Sequence, residues 1–195
     1  MQVFSVDGES GITVKYSSIT TSTQFDSNLL HPPSQASHYF KFTSGGTNTP
    51  AVGETLTGLT SAATAKIVAV VLISGTFGAG SAVGIIFVNE VSGTFQAENL
   101  DHTNGATDDM TIAENALVLR FKGMRAKSAL AQAKTASINF VEDSSLVTVE
   151  SGVNPGFTMD AKQTYVIKSW NDLQNFRFIN ETASNSATFH VAFRY

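Results

Sequence analysis

The sequence contains no cysteine, so the fold uses no disulfide bond and offers no thiolate ligand for a metal. It is also poor in charge, because Asp, Glu, Lys and Arg make up 14% of the residues where about a quarter is usual. Low charge combined with abundant Thr, Ser, Asn, Ala and Gly fits a surface partly covered by neighbouring chains. It fits a plain β-rich monomer equally well, and both interpretations remain open.

Long apolar runs and blocks of Lys or Arg are missing too. The longest apolar run, 67–73, is far shorter than the roughly 20 residues that span a bilayer. Nucleic acids and anionic membranes bind clustered cations, so a chain of net charge −4 without a basic block predicts neither as its main partner. The first residues lack the features of a signal peptide. We therefore expect a protein that is soluble when made.

The C-terminal stretch 186–195 has the clearest strand pattern in the chain. Large apolar side chains alternate with polar or small ones, which is typical of a strand with one face on a core. The apolar face holds Phe189, Val191, Phe193 and Tyr195, and the opposite face holds Thr188, His190, Ala192 and Arg194. Because free termini usually fray, a strand that reaches the last residue predicts a tail pinned inside a sheet.

Short alternating runs recur along the rest of the chain, at intervals of roughly 8 to 12 residues. They lie at 12–16, 38–42, 117–122, 136–140, 147–149, 165–167 and 176–178, and the first is expected to pair with 3–6 in a hairpin. Only 124–134 is rich in helix formers, and weak caps limit it to one or two turns. The pattern predicts an all-β fold, a β-sandwich of jelly-roll or immunoglobulin-like type.

One long segment, 17–37, is polar, contains Pro32 and Pro33, and shows neither a helical nor a strand period. We interpret it as an extended arm or long loop. Segments of this length without regular structure usually have a function or take part in an interaction. Such an arm is long enough to reach a neighbouring subunit.

Two linkers, 44–50 and 101–109, enclose a segment of different texture that has almost no charge and many small residues. Four apolar runs separated by glycine turns predict a small β-barrel or sandwich there. These runs are 54–58, 65–73, 83–89 and 94–98. The predicted organisation is a main β-sandwich domain of 1–48 plus 102–195 that carries an inserted β subdomain, 49–101.

The sequence predicts no metal site. The four histidines, His31, His38, His102 and His190, show no metal-ligand spacing, and His190 is expected on the solvated face of its strand. The linker residues Asp101, Asn104, Asp108 and Asp109 carry oxygen atoms that suit calcium. Their spacing does not match an EF-hand loop, which favours a polar linker.

No catalytic or cofactor constellation is visible either. The segment 78–84 is only superficially similar to a glycine-rich phosphate loop, since it leads into a strand and lacks the following Lys-Ser/Thr. Glu142 and Asp143 have no facing carboxylate partner of the kind that a glycosidase needs. The glycosylation pattern at 180–182 has no secretory signal beside it. We expect a protein that is not an enzyme and has no cofactor.

Four aromatic residues near the C-terminus allow two interpretations. They are Trp170, Phe176, Phe178 and Phe189. Exposed rings would form a platform for stacking sugars, whereas aromatic residues at alternating strand positions usually belong to a core. The alternation favours the core.

Three stretches resemble virion proteins of tailed bacteriophages. Residues 53–68 and 91–100 resemble a small β module that recurs in such proteins, and 176–191 resembles the C-terminal strands of phage head decoration, or cement, proteins. Together they cover 42 of the 195 residues. The resemblance implies a capsid-surface protein, commonly trimeric, that is assembled in the host cytoplasm, seats on the outer surface of the capsid and braces neighbouring major capsid subunits.

Decoration requires no reactive residue, because buried apolar area and strand pairing at sheet edges stabilise such interfaces. The main alternative is a receptor- or glycan-binding fibre or spike component of the virion. A fibre would be favoured by a repetitive shaft, and the sequence has none. A third hypothesis, a β-fold hydrolase, requires converging acid and base groups that the sequence does not show.

Overall fold

The computed structural model describes residues 11–17, 19–104, 110–120, 122–149, 156–182 and 187–195. The protein is all-β, with 47% strand and 8% helix, as the sequence predicts. The chain divides into two compact units. Unit 1 comprises Met1–His31 and Met124–Tyr195, and unit 2 is the continuous segment Pro32–Gly123.

In its described residues, unit 1 contains two antiparallel sheets of four strands and two short helices. In the order of their pairing, the strands of sheet 1 are β1 (Thr13–Ser17), β15 (Thr188–Arg194), β10 (Ser128–Ala133) and β13 (Thr164–Ile167). Those of sheet 2 are β12 (Phe157–Met159), β11 (Ile138–Val141), β14 (Arg177–Asn180) and β2 (Thr23–Gln24). The helices are α1 (Ser27–Leu30) and α2 (Trp170–Asn175).

Aromatic rings from both sheets meet in the core of unit 1. The ring of Phe178 on β14 lies 4.7 Å from that of Phe189 on β15 and 4.9 Å from that of Tyr16 on β1, measured between centroids. Phe189 and Phe193 are almost completely buried. The predicted alternation of the terminal strand is therefore confirmed, and β15 lies between β1 and β10 rather than at an edge.

The expectation of an extended arm or long loop at 17–37 is wrong as to the arm, because residues 19–31 pack into unit 1, whereas most of the described segment is irregular as a loop would be. Strand β2 pairs with β14, and Asp26 caps α1 by accepting a hydrogen bond from the backbone N–H of Asn28 at 2.7 Å. Phe25 and Leu29 are buried, and the Phe25 ring stacks on Phe176 at 5.5 Å. The segment lacks a sequence period because its apolar residues enter the core one at a time from irregular backbone, and not from the face of a regular helix or strand.

The helix predicted at 124–134 is also wrong, because the chain forms β10 there. Alanine favours helix in isolation, yet Ala129 and Ala133 lie directly opposite Phe193 and Phe189 of β15. On the inner face of sheet 1, small side chains beside large rings fill the space that the rings leave. Cross-strand packing therefore overrides local propensity.

The described part of unit 2 contains seven strands, six of which form a closed barrel. Around the barrel they are β6 (Ala82–Ser92), β5 (Thr64–Ser74), β4 (Thr55–Gly58), β7 (Glu98–His102), β8 (Met110–Ile112) and β3 (His38–Gly45), and β3 pairs with β6 to close the ring. The short strand β9 (Leu117–Val118) pairs with β3. Closure leaves the barrel strands without open edges, and the interior is filled by rings such as Phe40, Phe42 and Phe95.

Unit 2 extends further in both directions than the predicted insert, 49–101. The reason is closure, because β3 and β8 lie outside 49–101 and the ring of strands is incomplete without them. The first predicted linker begins in β3, and the second, 101–109, begins inside β7.

Two further strand predictions are wrong. In the segment 94–98 only Glu98 belongs to a strand, where β7 begins. Val147 belongs to no strand and instead packs against Val141 and Ile179 of sheet 2. The predicted hairpin partner at 3–6 lies outside the described residues. No helix within the described ranges is long and apolar enough to cross a membrane.

Replacing Phe25 tests whether the segment that was expected to form an arm is part of the core. We expect Phe25→Ala to lower the free energy of unfolding by about 3–5 kcal/mol, because it removes a ring that contacts Phe176, Phe178 and Phe193. The exposed Thr20, replaced by alanine, is the matched control and should change it by less than about 0.5 kcal/mol. Urea unfolding measures both, and equal midpoints for the two variants would contradict the buried position of Phe25.

Candidate functional site

The structure places the four histidines on separate elements. His31 follows α1, His38 lies on β3, His102 on β7 and His190 on β15. His38 Nδ1 lies 2.9 Å from the Ser37 hydroxyl. Across the described ranges, no group of three or more His, Asp or Glu side chains is arranged to hold a metal ion.

His102 belongs to a polar cluster that the sequence analysis missed. Its Nδ1 atom lies 2.7 Å from Oε2 of Glu54, a residue 48 positions earlier in the chain. The same carboxylate accepts hydrogen bonds from the Ala51 N–H at 2.9 Å and from the Asn104 side chain at 2.5 Å. The Ala51 bond, followed by those from Asn104 and His102, lowers the pKa of Glu54. The cluster joins the start of β4 to the end of β7.

Two of the four residues considered for calcium in the second linker, Asp108 and Asp109, lie outside the described residues. Asn104 uses its side-chain amide as a hydrogen-bond donor to Glu54, which directs the amide toward the carboxylate. Asp101 lies in β7.

Glu98 is a buried carboxylate that organises the turn between β4 and β5. It is 6% exposed and accepts hydrogen bonds from the N–H groups of Thr60, Ser61 and Gln96 at 2.8, 2.9 and 3.0 Å, and from the Ser61 hydroxyl at 2.6 Å. Burial alone raises the pKa of this carboxyl, but the hydrogen bonds from Ser61, Gln96 and Thr60 together outweigh it and leave the pKa lowered. The arrangement stabilises the turn and leaves the carboxylate no access to a substrate.

The other residues considered as candidates in the sequence lie in a turn, a bend and a strand. The segment 78–84 follows a strand, forms a 3₁₀ turn ending at the left-handed Gly80, and leads into β6, as the sequence predicts. Asp143 accepts two hydrogen bonds from Ser145. Asn180, the asparagine of the glycosylation pattern, is buried in β14.

The aromatic candidates form core rather than a platform. Phe176, Phe178 and Phe189 are fully buried, which confirms the core interpretation for these three. Trp170 begins α2, and the Arg125 guanidinium lies 5.2 Å from the centre of its ring. A sugar has no access to any of the three buried rings.

The outer face of sheet 1 has the most distinctive surface chemistry of unit 1. We name it the basic sheet face and define it by the outward side chains of β1, β15, β10 and β13 together with Lys134, the residue after β10. Its charged members are Lys15, Lys134 and Arg194. None of the outward positions of the four strands holds Asp or Glu.

The strand register groups these side chains into rows. One row across the sheet is Lys15, His190, Gln132 and Thr164, and the next is Thr13, Ala192, Leu130 and Val166. The second row is mostly apolar, and Val166 is 49% exposed. An apolar stripe therefore lies between the two lysines on one side and Arg194 on the other, which is similar to an interface with an apolar centre and a polar rim.

The pKa of His190 is affected by the charge of this face. Partial burial, together with the nearby positive charges of Lys134 and Lys15, lowers the pKa of His190. At neutral pH the lysines are charged, so the face is positive even with His190 neutral. The rest of the chain carries nine Lys and Arg against sixteen Asp and Glu, so the face is opposite in sign to the remaining molecule.

Sheet 2 has no comparable face, because segment 145–149 covers its outer side. Val147 packs on Val141 and Ile179, and the Asn139 side chain donates a hydrogen bond to the Thr148 carbonyl at 3.2 Å. The two outward residues of β11, Asn139 and Val141, are buried as a result. On sheet 1 the outward side chains are exposed or half-buried. The basic sheet face is therefore our candidate functional site.

No protein-family model, curated protein or solved structure matches this chain.

Replacing Glu98 by Gln tests its role at the turn. A carboxylate whose pKa is lowered by folding stabilises the folded state above its unfolded pKa, near 4.3, and this contribution is lost as the pH falls through the folded pKa. We expect Glu98→Gln to cost about 1–3 kcal/mol at pH 7 and progressively less below about pH 4. Urea unfolding from pH 3 to 7 measures this, with the exposed Glu90→Gln as control. A cost for Glu98→Gln that does not change with pH would contradict it.

Proposed function

We propose that this protein is a structural virion protein of a tailed phage, a capsid decoration or cement protein that binds the outer surface of the capsid. Its partner is the major capsid protein, and its role is to brace neighbouring capsid subunits. The observation that carries the proposal is the basic sheet face, an acid-free surface with an apolar centre on an otherwise acidic chain. The resemblance of 176–191 to decoration proteins supports the same role.

The chemistry of the face favours an acidic protein surface over a nucleic acid. Nucleic-acid surfaces combine dense cations with aromatic rings on which bases stack, and no outward position on these strands holds Phe, Tyr or Trp. The centre of the face is instead the stripe Ala192, Leu130 and Val166, which gains free energy by burial against another apolar surface. The surrounding cations orient the partner and accelerate association.

The size of the face favours attachment through several copies. With a strand spacing of ~4.8 Å and a rise of ~3.3 Å per residue, the four strands, which have 22 residues in all, present about 350 Å². One side of a standard protein interface buries ~800 Å². A single face of this area binds weakly, whereas three linked faces gain from a high effective concentration. We therefore include a homotrimer in the proposal.

The proposal extends to the fold and to the place of assembly. Unit 1 would be a β-sandwich of jelly-roll or immunoglobulin-like type, with the barrel of unit 2 as its insertion. Ring contacts between sheets 1 and 2, such as the 4.7 Å contact of Phe178 with Phe189, support this fold. The protein would join the capsid in the host cytoplasm and remain on the outer surface of the virion.

Charge reversal on the basic sheet face tests the proposal. The assay is co-sedimentation with heads assembled without this protein, and light scattering gives the mass of the free protein. Wild type should bind saturably as a trimer, and Lys15→Glu with Lys134→Glu should weaken binding at least about tenfold, since the reversed charges repel an acidic partner. Rising salt should weaken wild-type binding.

The matched control reverses Lys41 and Lys122, two exposed lysines of unit 2, and so has the same net charge. It should bind nearly as wild type does. The proposal fails if wild type ignores the heads, or if both double variants bind equally well. Binding to host cells in place of heads would support the receptor-binding alternative.

A further inference from the structure

A concave surface lies between two edge strands of unit 1. β12 is the last strand of sheet 2 and β13 the last of sheet 1, and a tight turn at 160–163 connects them. Between the two strands is a cleft of about 390 Å³, within the usual 300–1,000 Å³ of small-molecule sites. We name it the aromatic cleft, and its principal side chains are Phe140, Glu142, Phe157, Gln163, Thr164 and Tyr165.

The exposure of Phe157 distinguishes this cleft from the hydrophobic core. Of the twelve phenylalanines in the described ranges, eleven are buried, whereas Phe157 is 67% exposed. Its ring packs over Phe140, with centroids 5.9 Å apart, and Phe140 lies 4.8 Å from the Tyr165 ring. Three rings thus line one cleft, and the outermost presents its surface to solvent.

The aromatic cleft also contains an anchored carboxylate. Burial, followed by a hydrogen bond to Glu142, raises the pKa of Tyr165 to about 12. The phenol is therefore protonated at neutral pH and donates to Glu142, which holds the carboxylate beside the rings. Gln163 is fixed as well, since its side chain accepts from the Asp160 N–H at 3.0 Å and donates to the Asp160 carboxylate at 3.2 Å.

An exposed ring beside a fixed carboxylate matches the two surfaces of a sugar. The C–H face of a pyranose is apolar and stacks on an aromatic ring, while its hydroxyls donate hydrogen bonds to a carboxylate. A purely apolar ligand would remove water from Glu142 and offer no hydrogen bonds in place of those that the water had made. The negative charges of Glu142 and Asp160 repel acidic sugars, so the ligand is neutral.

We propose that the aromatic cleft binds a neutral pyranose, with Phe157 as the stacking surface and Glu142 as the acceptor of sugar hydroxyls. This inference is independent of attachment to a capsid. It also differs from the platform considered in the sequence, because Phe176, Phe178 and Phe189 are buried and Phe157 was not among the candidates.

The test is a titration of the ¹⁵N-labelled full chain with methyl glucoside, methyl galactoside, methyl mannoside, lactose and maltose, followed by amide chemical shifts. At least one sugar should cause saturable shifts at 157–159 and 164–165. For a monosaccharide-sized ligand, the dissociation constant should be on the order of 1 mM. N-acetylneuraminic acid should cause none.

Phe157→Ala should weaken binding at least tenfold, and Glu142→Gln should weaken it while leaving the stacking ring in place. The matched control is Val118→Ala, a truncation of an exposed residue on β9 that lines neither the cleft nor the basic sheet face. A well-dispersed spectrum confirms that each variant is folded. The inference is overturned if no neutral sugar shifts these amides, if Phe157→Ala binds as wild type does, or if the acidic sugar binds more tightly.

Discussion

The contact between Phe178 and Phe189, one ring from each sheet, is the interaction on which unit 1 depends. The chain has no cysteine, so buried apolar area has to supply most of the stabilisation. Phe25 joins the same cluster from the segment before α1, and Phe140 joins it from β11. Residues more than 150 positions apart therefore form one core, and residues 19–31 of the irregular segment are part of it.

The same inward packing determines where the polar chemistry lies. Since strand residues alternate between faces, every ring that β15 turns inward leaves a neighbour such as His190 or Arg194 outward. On sheet 1 these outward positions collect cations around an apolar stripe, and on sheet 2 they are covered by segment 145–149. The difference between the two sheets is the reason why we propose the basic sheet face as the surface for a partner, and the aromatic cleft lies at the edge strands.

Much of the fold could be predicted, because period-two alternation is a local property. The strands at 38–42, 65–73, 83–89, 165–167 and 188–194 were placed correctly from it. Errors arose where tertiary packing overrides local preference, as in β10, whose alanines fit beside Phe189 and Phe193. Little of the site could be predicted: Lys15, Lys134 and Arg194 are far apart in sequence, and only strand pairing brings them together. The pairing of Glu54 with His102 was missed for the same reason.

The sequence by itself determined the all-β class, the absence of disulfides, the buried rings of the terminal strand and the change of texture at the barrel. Each of these follows from composition or from alternation between neighbouring residues. Only the tertiary structure decided that six strands close a barrel, that 19–31 packs into the core of unit 1, and that Phe157 stays exposed while the other eleven phenylalanines of the described ranges are buried. Those features depend on which strands pair and in what register, and pairing between distant segments leaves no periodic signal in a single chain.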